Sequence, residues 1–127
     1  MEIKAGTIVG GKFLFEDTDA ESIMTPEDFN DEQRMIAQLA QDFIDNELEP
    51  LQEEVEAKLN YELTKKMLRS AGEVGLLAAE IPERYEGMDV DKVSVMLINE
   101  KIGTNPSFMV TFGGQTGIGS LPIVYFG

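Results

Sequence analysis

Apolar side chains fall at Met35, Ile36, Leu39, Ala40, Phe43 and Ile44, then at Leu48, Leu51, Val55 and Leu59. Steps of three and four residues place them along one stripe of a helix. Two starts are marked. Thr25-Pro26-Glu27-Asp28 offers a hydroxyl cap with proline at the first helical position, and Asn30 is a second candidate cap answered by Gln33. Pro50 has no amide donor, so the pattern predicts a kink or short break over 46–50.

A second helix is predicted over 63–74, with Leu63, Met67, Leu68, Ala71 and Val74 inward and Lys65, Lys66 and Arg69 outward. Gly75 follows as a left-handed cap. Leu76 to Ile81 is a short apolar stretch closed by Pro82, and Glu86-Gly87-Met88 reads as a turn. Asp89 is the predicted cap of a third helix over 90–102. Val93, Met96, Leu97 and Ile102 give its inner face, while Val95 and Ile98 add apolar surface alongside, as in a helix covered on several sides. Asn105-Pro106 is typical of a turn. A glycine-rich apolar segment then runs from Ser107 to about Ser120, before a short helical turn over 122–126.

Residues 1–24 lack this period and read as an extended arm with an apolar patch at Phe13-Leu14-Phe15. Thr7-Ile8-Val9 and Phe13-Leu14-Phe15 are the two halves of an alternative hairpin across Gly10-Gly11, although isolated hairpins are marginal. The patch is expected to dock on the body of the protein or on a neighbouring subunit. No strand is long enough to build a sheet. The expected fold is all-α, a bundle-like helical domain over 25–127 behind the arm.

Composition sharpens this picture. At 127 residues with 43 % hydrophobic side chains, the chain suits one packed domain. Twenty-four acids against ten bases, with no histidine, give a net charge of −14, a field that repels phosphate backbones and anionic lipid. Neither nucleic acid nor a membrane surface is an expected partner. The acids concentrate between Glu16 and Glu62, as a solvated helix face or as a docking surface for a basic partner. Cysteine is absent, which removes disulfides, thiolate nucleophiles and cysteine-ligated zinc. No apolar run is long enough to span a bilayer and no apolar leader opens the chain, so a cytoplasmic protein is expected. Without histidine or cysteine, the usual base, nucleophile and metal ligands are missing. No catalytic or metal-binding residue is therefore expected in this chain.

Two stretches carry more than periodicity. Gly72-Glu73-Val74-Gly75-Leu76-Leu77 is followed by Ile81-Pro82-Glu83-Arg84-Tyr85-Glu86-Gly87-Met88, and Gly113-Gly114-Gln115-Thr116-Gly117-Ile118-Gly119-Ser120 runs into Leu121-Pro122-Ile123-Val124-Tyr125-Phe126-Gly127. In this order they resemble the amino-terminal domain of the acyl-CoA dehydrogenases, from about Phe29 to Gly127. The arm, with Gly10-Gly11-Lys12-Phe13-Leu14, looks like that of the long-chain bacterial branch.

The resemblance implies a three-domain, FAD-dependent enzyme that oxidises acyl-CoA to trans-2-enoyl-CoA in fatty acid β-oxidation and passes electrons to an electron-transferring flavoprotein. It implies that the chemistry and most of the flavin site belong to missing middle and carboxy-terminal domains of a homo-oligomer. The chain alone is then expected to be inactive, with apolar surface exposed around Phe108 to Phe126. By the same comparison Thr111, Gly113, Gly114 and Gly117 line the acyl pocket, and glycine at 114 leaves room for a long acyl chain. Close helix packing is the competing role for these glycines, above all Gly117 and Gly119. Gly114-x-x-Gly117-x-Gly119 is not a dinucleotide fingerprint, because its spacing is reversed and no strand precedes it. Tyr85 either packs or approaches substrate or flavin, and the methionines at 35, 67, 88, 96 and 109 read as core filler. The alternatives are a free-standing acidic interaction module and an acyl-binding bundle without chemistry.

Overall fold

A computed structural model describes residue 8, residues 10–58 and residues 60–127. Thr7 and Val9 of the alternative hairpin, and Leu59 of the first apolar stripe, lie outside the described residues. Two compact units result, Met1–Asp31 and Glu32–Gly127. Every regular element among the described residues is helical.

Within the first unit, the amide of Ile8 donates to the carbonyl of Ser22 at 2.9 Å and closes a loop. Gly10–Leu14 forms a 3₁₀ turn rather than half of a hairpin, entered through Gly10 at φ 68°. Thr25-Pro26-Glu27-Asp28 is capped as its sequence suggests, with the Thr25 amide donating to the Asp28 carboxylate at 3.1 Å. It yields only one 3₁₀ turn, Pro26–Asp28.

The second unit starts from the long apolar stripe. Helix α1, Asp31–Phe43, buries Ile36, Ala40 and Phe43. It passes into a π-helical turn, Ile44–Leu48, then a 3₁₀ turn, Glu49–Leu51, and resumes as α2, Gln52–Glu56. The break predicted at Pro50 is thus a change of hydrogen-bond register that still buries Ile44, Leu48 and Val55. Met35 lies off the stripe and is exposed.

Helix α3, Tyr61–Glu73, starts two residues earlier than predicted, because the Asn60 side chain accepts the Leu63 amide at 3.1 Å. Met67 and Ala71 face the core, and Val74, just past the helix end, is exposed. Gly75 takes the left-handed conformation at φ 86°, as its position predicted.

Helix α4, Lys92–Ile102, is capped by Asp91, not by Asp89. Asp89 sits at φ 52° with its amide committed to the Ile81 carbonyl, so it belongs to the preceding loop. Ser94, Leu97, Ile98 and Ile102 form the buried side. Met96 is exposed because Ile98, not Met96, points at the core.

Asn105-Pro106 is a helix start. The Asn105 oxygen accepts the Phe108 amide at 3.0 Å, Pro106 occupies the first turn, and α5 runs over Pro106–Gly113. Glu56, at the end of α2, grips the same helix start, accepting from the Ser107 amide at 3.0 Å and its hydroxyl at 2.6 Å. These bonds hold the Glu56 carboxyl below its ordinary pKa. Phe108 and Phe112 are fully buried, with Phe108 stacked at a tilt between Phe43 and Phe112. A π-helical turn, Gly114–Ser120, then leads into α6, Leu121–Phe126. Val110, Ile118, Ile123, Tyr125 and Phe126 are all exposed, in the region where open apolar surface was expected.

Candidate acyl-facing surface

Three segments converge around α5. Gly75 reverses the chain out of α3 so that Leu76 enters the core, and the 3₁₀ turn Leu76–Ala78 follows. The loop after Pro82 folds back on that turn. The amides of Met88, Asp89 and Val90 donate to the carbonyls of Ala78, Ile81 and Ala79 at 2.9 to 3.0 Å. Gly87 makes this possible, since a Cβ there would lie 1.9 Å from the Ile81 carbonyl oxygen. The proline–glutamate–aromatic–glycine pattern is therefore a backbone clip. Tyr85 is exposed on it, with the Arg84 guanidinium 4.8 Å from its ring centre.

Between this clip, α4 and α5 lies an apolar groove of about 150 Å³. Leu77 and Ile81 form one wall, Val95 and Ile98 a second, and Met109, Phe112, Gly113, Thr116 and Gly117 the third. Glu80 also lines it and pairs with Lys92 on α4. The Thr116 hydroxyl donates to the Phe112 carbonyl at 3.0 Å, so that polar group is already satisfied within the helix.

Of the four acyl-facing positions read from the sequence, Gly113 and Gly117 line this groove, whereas Thr111 and Gly114 do not. Gly114 is exposed on another side of the helical run, and a Cβ built there meets nothing within 4 Å. Val110 and Ile118, four residues to either side, are 77 % and 85 % exposed. Gly114 thus forms a notch between two apolar side chains on an open face. Gly117 also has open space, and a Cβ at Gly113 would only touch the end of Met109 at 3.7 Å. Gly119 differs, because a Cβ there would lie 2.9 Å from the Gly114 carbonyl oxygen. Close packing explains Gly119 but not Gly114 or Gly117.

Periodicity had singled out neither Val110 nor Met109, Phe112 and Thr116 as lining residues. Apolar character on both sides of α4 was the one sequence signal of a surface there. Among the described residues, no group of three or more histidine, cysteine, aspartate or glutamate side chains is placed to hold a metal ion. No helix among them is long and apolar enough to cross a membrane.

Residues 30–127 match the family model of the acyl-CoA dehydrogenase N-terminal domain. The chain belongs to the acyl-CoA dehydrogenase family. It is 45 % identical over 118 residues to a probable acyl-CoA dehydrogenase of Bacillus subtilis strain 168, covering 93 % of this chain and 20 % of that protein. A second acyl-CoA dehydrogenase of that organism is 34 % identical over 99 residues, covering 76 % of this chain and 25 % of the relative. The crystal structure of an acyl-CoA dehydrogenase complexed with FAD from Bacillus anthracis superposes with a TM-score of 0.82 at 45 % identity, covering 91 % of this chain and 20 % of the other. The chain therefore spans a fifth to a quarter of the length of these acyl-CoA dehydrogenases. The first relative is about half as long again as the second, since 118 residues are a fifth of the one and 99 a quarter of the other.

Proposed function

We propose that this chain is the acyl-pocket domain of an FAD-dependent acyl-CoA dehydrogenase that converts long-chain acyl-CoA to trans-2-enoyl-CoA in fatty acid β-oxidation. The observation that carries the reading is the open notch at Gly114, flanked by the exposed apolar side chains of Val110 and Ile118. An acyl tail laid across it is stabilised by about 0.8 kcal/mol for each methylene removed from water. Gly114 is the position whose size sets how far that tail reaches, whereas Gly113 and Gly117 line the separate groove beside α4.

The glycine-rich run at 113–119 lies inside a helical stretch, so it is not the strand-to-helix turn that cradles a pyrophosphate in dinucleotide-binding folds. FAD, the catalytic base and the contacts to an electron-transferring flavoprotein are assigned to the full-length homo-oligomeric enzyme, in keeping with the FAD complex of the B. anthracis relative. This domain binds and orients the tail and excludes water from it.

Gly114→Glu in the full-length enzyme tests the reading. A carboxylate filling the notch that displaces about three methylenes lowers kcat/KM for palmitoyl-CoA roughly 50-fold and spares short acyl-CoA. Unchanged long-chain turnover would remove Gly114 from the pocket.

A further inference from the structure

Helix α5, the π-helical turn after it and α6 form one helical run that carries the exposed positions Val110, Gly114 and Ile118. Burial of Phe108 and Phe112 holds this run against the core. Apolar packing is non-directional, so it resists lifting off the core far more than sliding along the helix axis. Directional bonds must set the axial position.

Those bonds come from one side chain. Among the described residues, the only hydrogen bonds that reach residues 106–127 from outside the run and its Asn105 cap are the two that Glu56 accepts. The Ser107 amide donates to one carboxylate oxygen at 3.0 Å and the Ser107 hydroxyl to the other at 2.6 Å. The hydroxyls of Thr116 and Ser120 are spent inside the run, on the carbonyls of Phe112 and Gln115 at 3.0 and 2.7 Å.

The start of α5 leaves no donor over for another partner. Pro106 has no amide, Phe108 donates to the Asn105 side chain, and Met109 donates to the Asn105 carbonyl. A carboxylate facing a helix start is favoured by the helix dipole, and two bonds to one residue fix direction as well as distance. Glu56 is itself anchored, because Val55 beside it on α2 is 2 % exposed. Glu53 and Glu54 on the same helix point to solvent.

We propose that Glu56 is a positioning residue for the acyl-facing helix. By gripping Ser107 it fixes how far α5 advances along its axis, and so where the exposed face of that helix meets an acyl tail. This deepens the acyl-pocket reading and rests on it. A slip of one residue's rise, about 1.5 Å, shifts that face by roughly one methylene of the tail.

The test uses the full-length enzyme and compares kcat/KM for palmitoyl-CoA with that for octanoyl-CoA. Glu56→Ala is expected to lower the ratio about four-fold, the equivalent of one methylene's contact. The loss falls on KM for palmitoyl-CoA rather than on kcat, since tail contacts are made equally in the ground and transition states. Ser107→Thr keeps both donors and is expected to retain the parent ratio. An unchanged ratio in Glu56→Ala overturns the proposal. So does an equal loss with both substrates alongside a lower Tm, which is the mark of a merely structural cap. Should Glu56→Ala lose its flavin, Ser107→Ala removes the hydroxyl bond alone. It is expected to lower the ratio about two-fold, and an unchanged ratio there overturns the proposal too.

Gly114→Glu, measured alongside, separates the two readings. A ratio lowered by Gly114→Glu but not by Glu56→Ala overturns the positioning role alone. A ratio lowered by Glu56→Ala but not by Gly114→Glu overturns the notch and leaves the positioning of α5 standing. A ratio lowered by neither overturns both.

Discussion

Asp91 ties the start of α4 to the start of α1, accepting the Gln33 side-chain amide at 2.8 Å on one oxygen and the Ser94 backbone amide at 2.8 Å on the other. Gln33 is buried, so this single carboxylate both caps a helix and satisfies an interior donor. Asp91→Ala removes both and is expected to cost about 2 kcal/mol. Asp91→Asn retains a good cap and isolates the charge. Burial pushes the Asp91 carboxyl up, but the bonds from Ser94 and Gln33 outweigh it and leave the folded-state pKa lowered. A depressed carboxylate contributes stability above its unfolded pKa of about 4, and that contribution disappears as pH falls through the folded value. Urea unfolding at pH 7 and pH 2 is expected to show a larger gap between Asp91→Asn and the parent chain at pH 7. An equal gap at both values would refute the assignment.

Gly87 holds the loop clip together by having no side chain. An added methyl would lie 1.9 Å from the Ile81 carbonyl oxygen, and backbone, not a flexible side-chain end, would have to move. Gly87→Ala is expected to destabilise by about 3 kcal/mol and to raise amide exchange at Met88, Asp89 and Val90, whose bonds close the clip. A Tm within a degree of the parent's would show that the loop has another way to close.

The π-helical turn makes a sign prediction. At Gly117 there is open space, so Gly117→Ala gains helix propensity and is expected to stabilise by about 1 kcal/mol. At Gly119 the same methyl meets the Gly114 carbonyl, and the clash is expected to exceed the propensity gain and leave a net loss of about 1 kcal/mol. Paired thermal melts decide it, and two changes of the same sign would contradict the packing described here.

The helices were legible where a single apolar stripe faces one core, as at Ile36, Ala40 and Phe43 or at Met67 and Ala71. Periodicity registers apolar character and not the geometry at element ends, so Met35, Val74 and Met96 looked buried and are exposed. The α4 cap was misplaced because two aspartates two residues apart both suit a cap, and only the loop's hydrogen bonds show which one is spent elsewhere. The π-helical turns left no trace in the pattern, since their register depends on packing. At the candidate site, the sequence paired Gly113 with Gly114 as pocket-lining positions and set Gly117 with Gly119 as the stronger candidates for close packing. The backbone turns Gly113 and Gly117 toward the groove and leaves Gly114 open on another side, a separation that no count of residue types carries.

The most direct test is the absorption spectrum of the protein from the complete reading frame, before and after addition of palmitoyl-CoA. A yellow flavin spectrum that bleaches on addition is the expected result. Bleaching by short or branched acyl-CoA alone would contradict the long-chain pocket, and a colourless protein, or a flavin unchanged by every acyl-CoA, would contradict the dehydrogenase itself.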